Sequence, residues 1–294
     1  MKSNSKPIQS ELVLVGGGHA NIQVLKSFAM RPIDGLRISL ISDVLSAPYS
    51  GMLPGFIAGE YDFQEIHINL LHLCNFSGAR FIQTKIMSVD TKKRVIYCEN
   101  RPNINYDLIS INTGITSDFG KIDGAEKHAI AVKPISHFLK KIAGVEKTIT
   151  SSEQSIVIIG SGAAGVELAF AFRRKFHKNK IIPKITIIGS AERFFPELPF
   201  GCHLSLLKKC SAADIKVQFG HPVIKVSEKT ITLASGIKVA TNCSLIVTGA
   251  QPSNWLNSSS ICLTHDGYIE VNNTFRSVSD ERVFAAGDIA KMRH

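Results

Sequence analysis

The 294-residue chain has a single tryptophan, only 7% aromatic residues and, among six cysteines, no CxxC pair. Cys74, Cys98, Cys202, Cys210, Cys243 and Cys262 are scattered, so the spacing encodes neither a disulfide scaffold nor a thiolate zinc site. Isolated thiols are the habit of a reducing, cytoplasmic compartment. An uninterrupted apolar run of bilayer length is also missing. The nearest approach, residues 155–172, is broken by Gly160, Gly162, Gly165 and Glu167, which suit a turn into a helix better than a lipid-facing span. The opening MKSNSKPIQS has no apolar stretch ahead of a cleavage site, so no signal peptide is read there. No run of basic residues is interleaved with aromatics. The net charge of +10, from 34 Lys and Arg against 24 Asp and Glu, is spread in short clusters such as Lys92-Lys93-Arg94 and Arg173-Arg174-Lys175. Without interleaved aromatics or a recognisable module, nucleic acid is excluded as the partner. Anionic cofactors or an anionic membrane surface make better use of that charge.

What is present is a fingerprint at residues 155–172, SIVIIGSGAAGVELAFAF. Residues 156–159 form a continuous apolar run, as in a strand buried on both faces. The run turns through Gly160-x-Gly162-x-x-Gly165, with Ala163 and Ala164 between, into an apolar helix whose one acid is Glu167. The first glycine permits a tight turn, the second lets a pyrophosphate reach the backbone, and the third lets helix and strand pack closely. The helix start then offers N–H groups and a positive dipole end to phosphates.

A weaker copy lies at residues 11–25, ELVLVGGGHANIQVL. The apolar run 12–15 leads into Gly16-x-Gly18, and His19 and Ala20 open the next helix. Asn21 stands where the third glycine would be, which is expected to hold helix and strand further apart. A second strand at 36–41 ends at Ser42-Asp43, and an acid about twenty residues past the glycines is where a ribose hydroxyl would be held. A helix cap or turn is the equal alternative for Asp43. The Gly- and Pro-rich stretch 47–59, including Pro48, reads either as a loop lying across a cofactor ring or as a plain connection. His67, His72 and Cys74 follow, but with no matching pair elsewhere they predict no metal site.

From residue 79 the pattern changes to short strands at 80–83, 86–89 and 94–98. A strand at 106–112 then runs into Thr113-Gly114. The stretch after the second fingerprint repeats this order. A strand at 185–188 is followed by short strands at 215–219, 223–226 and 230–233, and the run 243–247 ends at Thr248-Gly249-Ala250. DLISINTG and NCSLIVTG thus occupy matching places in two halves. Two dinucleotide-binding units imply two dinucleotides. A last apolar strand at 283–286 opens at Gly287-Asp288, where ligands gather in open α/β sheets, although a helix cap reads the same way. The expected fold is α/β, with two Rossmann-like units, the second inserted in the first, each with a small antiparallel meander. Residues 8–117 and 251–294 would form the first unit and 118–250 the second.

Together VGGGHAN at 15–21, DLISINTG at 107–114, IGSGAAGVE at 159–167, LIVTGAQP at 245–252 and VFAAGD at 283–288 resemble the two-dinucleotide-binding-domain flavoproteins of the pyridine nucleotide-disulfide oxidoreductase superfamily. GGGHA with PYSGMLPGFIAG is similar to the NADH-dehydrogenase-like subfamily, sometimes fused to selenide, water dikinase. The resemblance implies FAD in the first unit, against Gly16, Gly18, Thr113, Gly114, Gly287 and Asp288. It implies NAD(P)H in the second, against Gly160, Gly162, Ala163, Ala164, Gly165, Gly249 and Ala250. It further implies hydride transfer to flavin and a quinone-like or other small acceptor; peripheral membrane contact is suggested by the charge alone, and a homodimer is left open.

Three departures from the family matter. Residues 48–55 carry no redox-active cysteine pair, so thiol–disulfide exchange is not expected. The place where an acid would select NADH is Gly189-Ser190, and Glu192 and Arg193 just beyond pull in opposite directions, leaving NADH and NADPH both open. The sequence ends six residues past Asp288, where family members continue, so a C-terminal interface region is expected to be missing. Two rival readings stand beside this one. One is a sulfide- or selenide-linked quinone reductase using Cys74, Cys202 or Cys262 singly. The other is a non-catalytic dinucleotide-binding module.

Overall fold

The computed structural model describes residues 7–120 and 122–293. Two parallel five-stranded sheets carry the architecture. In chain order their strands are β1 (Ser10–Val15), β2 (Leu36–Ser42), β3 (Arg80–Gln83), β4 (Leu108–Ile111), β5 (Ile130–Ala131), β6 (Ser155–Ile159), β7 (Lys184–Ile188), β8 (Ile215–Gln218), β9 (Cys243–Ile246) and β10 (Val283–Ala285). The helices that bear on the sites are α1 (His19–Met30), α2 (Leu53–Ile57), α3 (Leu70–Ser77), α4 (Ile135–Thr148), α5 (Ala163–Lys178) and α6 (Phe200–Ala212).

The first sheet has the order β10-β4-β1-β2-β3 and the second β5-β9-β6-β7-β8. In each, the strand that ends in the glycine turn is central, the Thr-Gly strand lies on one side and the next strand on the other. Parallel pairing buries both faces, and β1 shows how its sequence answers that demand. Leu12 and Leu14 face one core with Leu25, Leu40, Leu70 and Cys74. Val13 and Val15 face the other with Ile41, Ile109, Ile111 and Ile289. β6 repeats the alternation, with Ile156 and Ile158 against Phe138 and Phe172, and Val157 and Ile159 against Ile231 and Leu233. Each such fully buried aliphatic side chain contributes about 1.5–3 kcal/mol.

The chain forms two compact units. The first comprises residues up to Ala47, His67–Thr116 and residues from Gln251 onward; the second comprises Pro48–Ile66 and Ser117–Ala250. Within the first, Thr116 Oγ1 donates to Gln251 O at 3.3 Å. Within the second, the Asp118 N–H donates to Gly249 O at 2.8 Å.

Two features differ from the sequence reading. The runs 80–83 and 215–218 join the parallel sheets rather than the short-strand regions, Arg80 pairing with Ser39 and Ile215 with Ile185. Helices α3 and α6 precede them as crossovers, which makes a parallel partner the natural outcome. The antiparallel meanders are therefore Ile86–Asp90, Val95–Cys98 and Ile104–Asn105 in the first unit, and Val223–Val226, Thr230–Leu233 and Lys238–Ala240 in the second.

The second difference is Pro48–Ile66, read from sequence as part of the first unit. It packs with the second, because Leu53, Ile57 and Ile66 are buried in the core that holds Phe172 and Phe176 of α5. Lys178 Nζ donates to Ala58 O and Gly59 O at 3.1 and 3.3 Å, and Arg174 pairs with Glu60 at 2.9 Å. Among the described residues no helix is long and apolar enough to cross a membrane.

Candidate functional site

In the first unit the turn after β1, the end of β4 and the end of β10 are tied together by one side chain, Asn112. Its Oδ1 accepts from the Ala20 N–H at 3.0 Å, its Nδ2 donates to Ala286 O, and its own carbonyl accepts from the Gly18 N–H at 3.2 Å. Asn112 is buried. A Cβ on Gly18 would lie 2.1 Å from Asn112 Oδ1, so the middle glycine makes room for this amide. Around it the residues singled out in the sequence converge. Gly16 follows β1, Gly18 is the N-cap of α1, and His19 and Ala20 open that helix. Thr113 and Gly114 follow β4, and Gly287 and Asp288, both exposed, follow β10. Asp43 is exposed one residue beyond β2. Pro48 ends a short strand, Ser46–Pro48, where the chain passes into the second unit.

Asn21 joins the helix to the strands through its amide. It is fully buried, and its Nδ2 donates to Val15 O at 3.0 Å, to Gly16 O at 2.9 Å and more weakly to Ser110 O at 3.3 Å. Its Oδ1 accepts from Ser110 Oγ at 2.8 Å. The amide therefore replaces close glycine packing with hydrogen bonds that join α1 to β1 and β4. A buried amide with all its groups satisfied contributes to stability rather than loosening the turn.

In the second unit the turn has the full three-glycine form. Gly160 follows β6 with φ +127°, a conformation open to glycine. A Cβ on Gly165 would lie 2.0 Å from Gly160 O, so helix and turn are in backbone contact there. A Cβ on Gly162 would meet nothing within 4 Å. Gly162, Ala163 and Ala164 are exposed, no side chain caps α5, and no acid sits in its first turn. The first turn of α5 thus presents uncapped N–H groups and a positive dipole end over open space, the arrangement that receives a phosphate. Glu167 is exposed one turn further on. Gly249 and Ala250, also exposed, follow the Val247-Thr248 end of β9.

The sequence reading missed Asn112 and Ser161. Asn112 was legible only as a polar residue closing an apolar strand before Thr-Gly. Ser161 fills the second position of the turn, and its Oγ sits 2.3 Å from where a Gly189 Cβ would be.

No cysteine lies within either glycine turn. All six are free. Cys74 lies in α3, Cys98 at the end of a meander strand, Cys202 and Cys210 in α6, and Cys243 at the amino end of β9. Burial pushes the Cys74 thiol up to about 11 and the Cys243 thiol up to about 12. Both are therefore protonated and unreactive near neutrality. His67, His72 and Cys74 form no ligand set: among the described residues no group of His, Cys, Asp and Glu is placed to hold a metal.

The family model for pyridine nucleotide-disulphide oxidoreductases matches residues 10–294, and the chain belongs to that family. Ferroptosis suppressor protein 1 of Taeniopygia guttata is 23% identical over 235 residues, covering 74% of this chain and 58% of that protein. The NADH dehydrogenase-like protein YutJ of Bacillus subtilis is 20% identical over 292 residues, covering 97% of this chain and 78% of its own length. NDH2 from Plasmodium falciparum, solved in complex with NADH, superposes with a TM-score of 0.79 at 18% identity, over 96% of this chain and 64% of that one. The chain spans about three-fifths of the length of several curated relatives it matches.

Proposed function

We propose that this chain is the two-cofactor body of an FAD-dependent NAD(P)H dehydrogenase that passes electrons to a quinone-like or other small acceptor. The observation that carries this reading is the repetition of one device. Two sheets of the same strand order each carry a glycine turn that leads from the central strand into a helix, with a Thr-Gly strand beside it. The acceptor class is drawn from relatives named for quinone reduction, an alternative NAD(P)H-ubiquinone oxidoreductase and a sulfide-quinone reductase.

The first unit fits FAD through Gly16, Gly18 and the start of α1 for the pyrophosphate. Asp43 would hold a ribose hydroxyl, and Thr113, Gly114, Gly287 and Asp288 would border the rest. Asn112 keeps those three strand ends in register. The second unit fits NAD(P)H at Gly160, Gly162, Ala163, Ala164 and Gly165, with Gly249 and Ala250 beside it. Held by the first unit's residues, FAD would supply the two-electron redox chemistry. The protein's part is position and electrostatics, and no side chain is needed as a nucleophile. Burial holds Cys74 protonated, which argues against that thiol in the single-cysteine quinone reductase reading. The positive net charge favours an anionic membrane surface as the place where an apolar acceptor is met, and family resemblance favours a homodimer.

The test is direct. Protein reconstituted with FAD should turn yellow, bleach anaerobically on adding NADH or NADPH, and recolour with a short-chain quinone. Protein that binds both dinucleotides yet never bleaches would be the non-catalytic module instead.

A further inference from the structure

The second unit's donor site has a loop, residues 189–200, that carries both an acid and a base, and their surroundings are unequal. Gly189 closes β7 at the place where an acid would meet the ribose of a bound dinucleotide. Glycine leaves that place without a side chain, and Ser161 Oγ lies 2.3 Å from where a Cβ would stand, so a larger residue would have to displace it. The next charged residues are Glu192 and Arg193.

Arg193 is engaged elsewhere. Its Nη1 donates to Leu198 O at 3.2 Å and its Nη2 to Pro196 O, while the guanidinium lies over the Phe200 ring, 5.8 Å from its centre. The group thus folds back on its own loop and stabilises the turn into α6. A 2′-phosphate would have to break those contacts to recruit it.

Glu192 is exposed, and its carboxylate lies at the end of the neighbouring strand. Both of its oxygens are 3.0 Å from where a Gly220 Cβ would stand. The loop that carries it is not free to drift. Phe194 is fully buried and meets Phe219 edge to face at 4.8 Å, next to Gly220. The Phe194 N–H also donates to Nδ1 of the buried His203 at 3.3 Å. The Gly220 N–H and His221 N–H close the two segments by donating to Ala191 O and Gly189 O at 2.9 and 3.2 Å. An acid held by a packed loop beside an open strand end accepts hydrogen bonds from vicinal ribose hydroxyls and repels a phosphate in the same place.

We infer that Glu192 is the residue that selects the donor, making this chain specific for the 2′-hydroxyl dinucleotide NADH over the 2′-phosphorylated NADPH, and that Arg193 is a loop anchor without a part in recognition. The inference rests on the second unit being the NAD(P)H site. It is tested by binding, independently of flavin, with two probes: ADP-ribose and 2′-phospho-ADP-ribose, titrated calorimetrically.

Wild-type protein should bind ADP-ribose at least about tenfold more tightly. Glu192→Gln should bring the two affinities to within about threefold of each other, by tightening the phosphorylated probe. Arg193→Ala should leave the ratio in place, with its effect seen in thermal stability. Equal affinities in wild type, an unchanged ratio in Glu192→Gln, or loss of 2′-phospho-ADP-ribose binding in Arg193→Ala would overturn the assignment of donor choice. Failure of folded wild type to bind either probe would overturn the nucleotide reading of this unit, and this inference with it.

Discussion

At the scale of single residues, two asparagines do more than the glycines beside them to define the first unit's turn. Asn112 accepts from the Ala20 N–H and donates to Ala286 O, so it closes three strand ends. Asn112→Ala would leave both partners without a bond in a buried setting, at a loss of about 1–3 kcal/mol. It should lower the melting temperature and weaken FAD retention together, read from the flavin absorbance that survives gel filtration. Asn112→Asp keeps the acceptor but loses the donor and adds a negative charge at the pyrophosphate position. It should lose flavin more completely than Asn112→Ala. Equal retention in wild type and both variants would show that the amide only braces the fold. The same scale accounts for what the sequence concealed. Asn21 looked like a poor glycine, because a fingerprint records which side chain is missing. It does not record that an amide can reach three carbonyls, as Asn21 does.

The buried thiols allow a residue-scale prediction in pH. Desolvation raises Cys243 from the ordinary 9.0 to about 12, and Cys74 to about 11. A thiol whose folded-state value is raised adds stability in full below the unfolded value, and that contribution fades as pH rises toward the folded one. The denaturant midpoint should therefore fall between pH 9 and 12 more steeply in wild type than in Cys243→Ala compared with its own midpoint at pH 8. Parallel curves for the two proteins would contradict the burial argument. Near pH 8, alkylation of the native protein should label Cys202, which is exposed, well before Cys74, Cys210 or Cys243.

At the scale of elements, the two glycine turns separate fold from binding. A Cβ on Gly165 would meet Gly160 O at 2.0 Å, whereas one on Gly162 meets nothing. Gly165→Ala should force α5 away from β6 and destabilise the second unit by about 1–3 kcal/mol or more. Gly162→Ala should leave the melting temperature nearly unchanged while weakening NADH binding at least about tenfold, because the methyl group would stand where the pyrophosphate approaches. If Gly162→Ala binds NADH as wild type does, the open space in front of α5 is not the nucleotide's.

The central elements were the readable ones. The runs at β1 and β6, the glycine spacing and the matched Thr-Gly ends all announce themselves, because a strand buried on both faces must be apolar throughout. The runs at 80–83 and 215–218 misled, since four residues cannot tell a parallel edge strand from a meander strand. Their crossover helices α3 and α6 decide the matter. Pro48–Ile66 misled in another way. Its Gly and Pro content reads as a loop, yet Leu53, Ile57 and Ile66 are buried with α5, a tertiary fact that local composition does not carry.

At the scale of the whole molecule, a five-stranded parallel sheet with a glycine turn after its central strand occurs in each of the two compact units, and no cysteine lies within either turn. The central claim is that electrons pass between two bound cofactors without a protein disulfide. Counting the electrons tests it most directly. FAD-reconstituted protein, titrated anaerobically with NADH while the flavin spectrum is followed, should be fully reduced by one equivalent per flavin. A requirement for two equivalents would reveal a disulfide sharing the electrons, and a flavin that stays oxidised at any excess of NADH would contradict the account altogether.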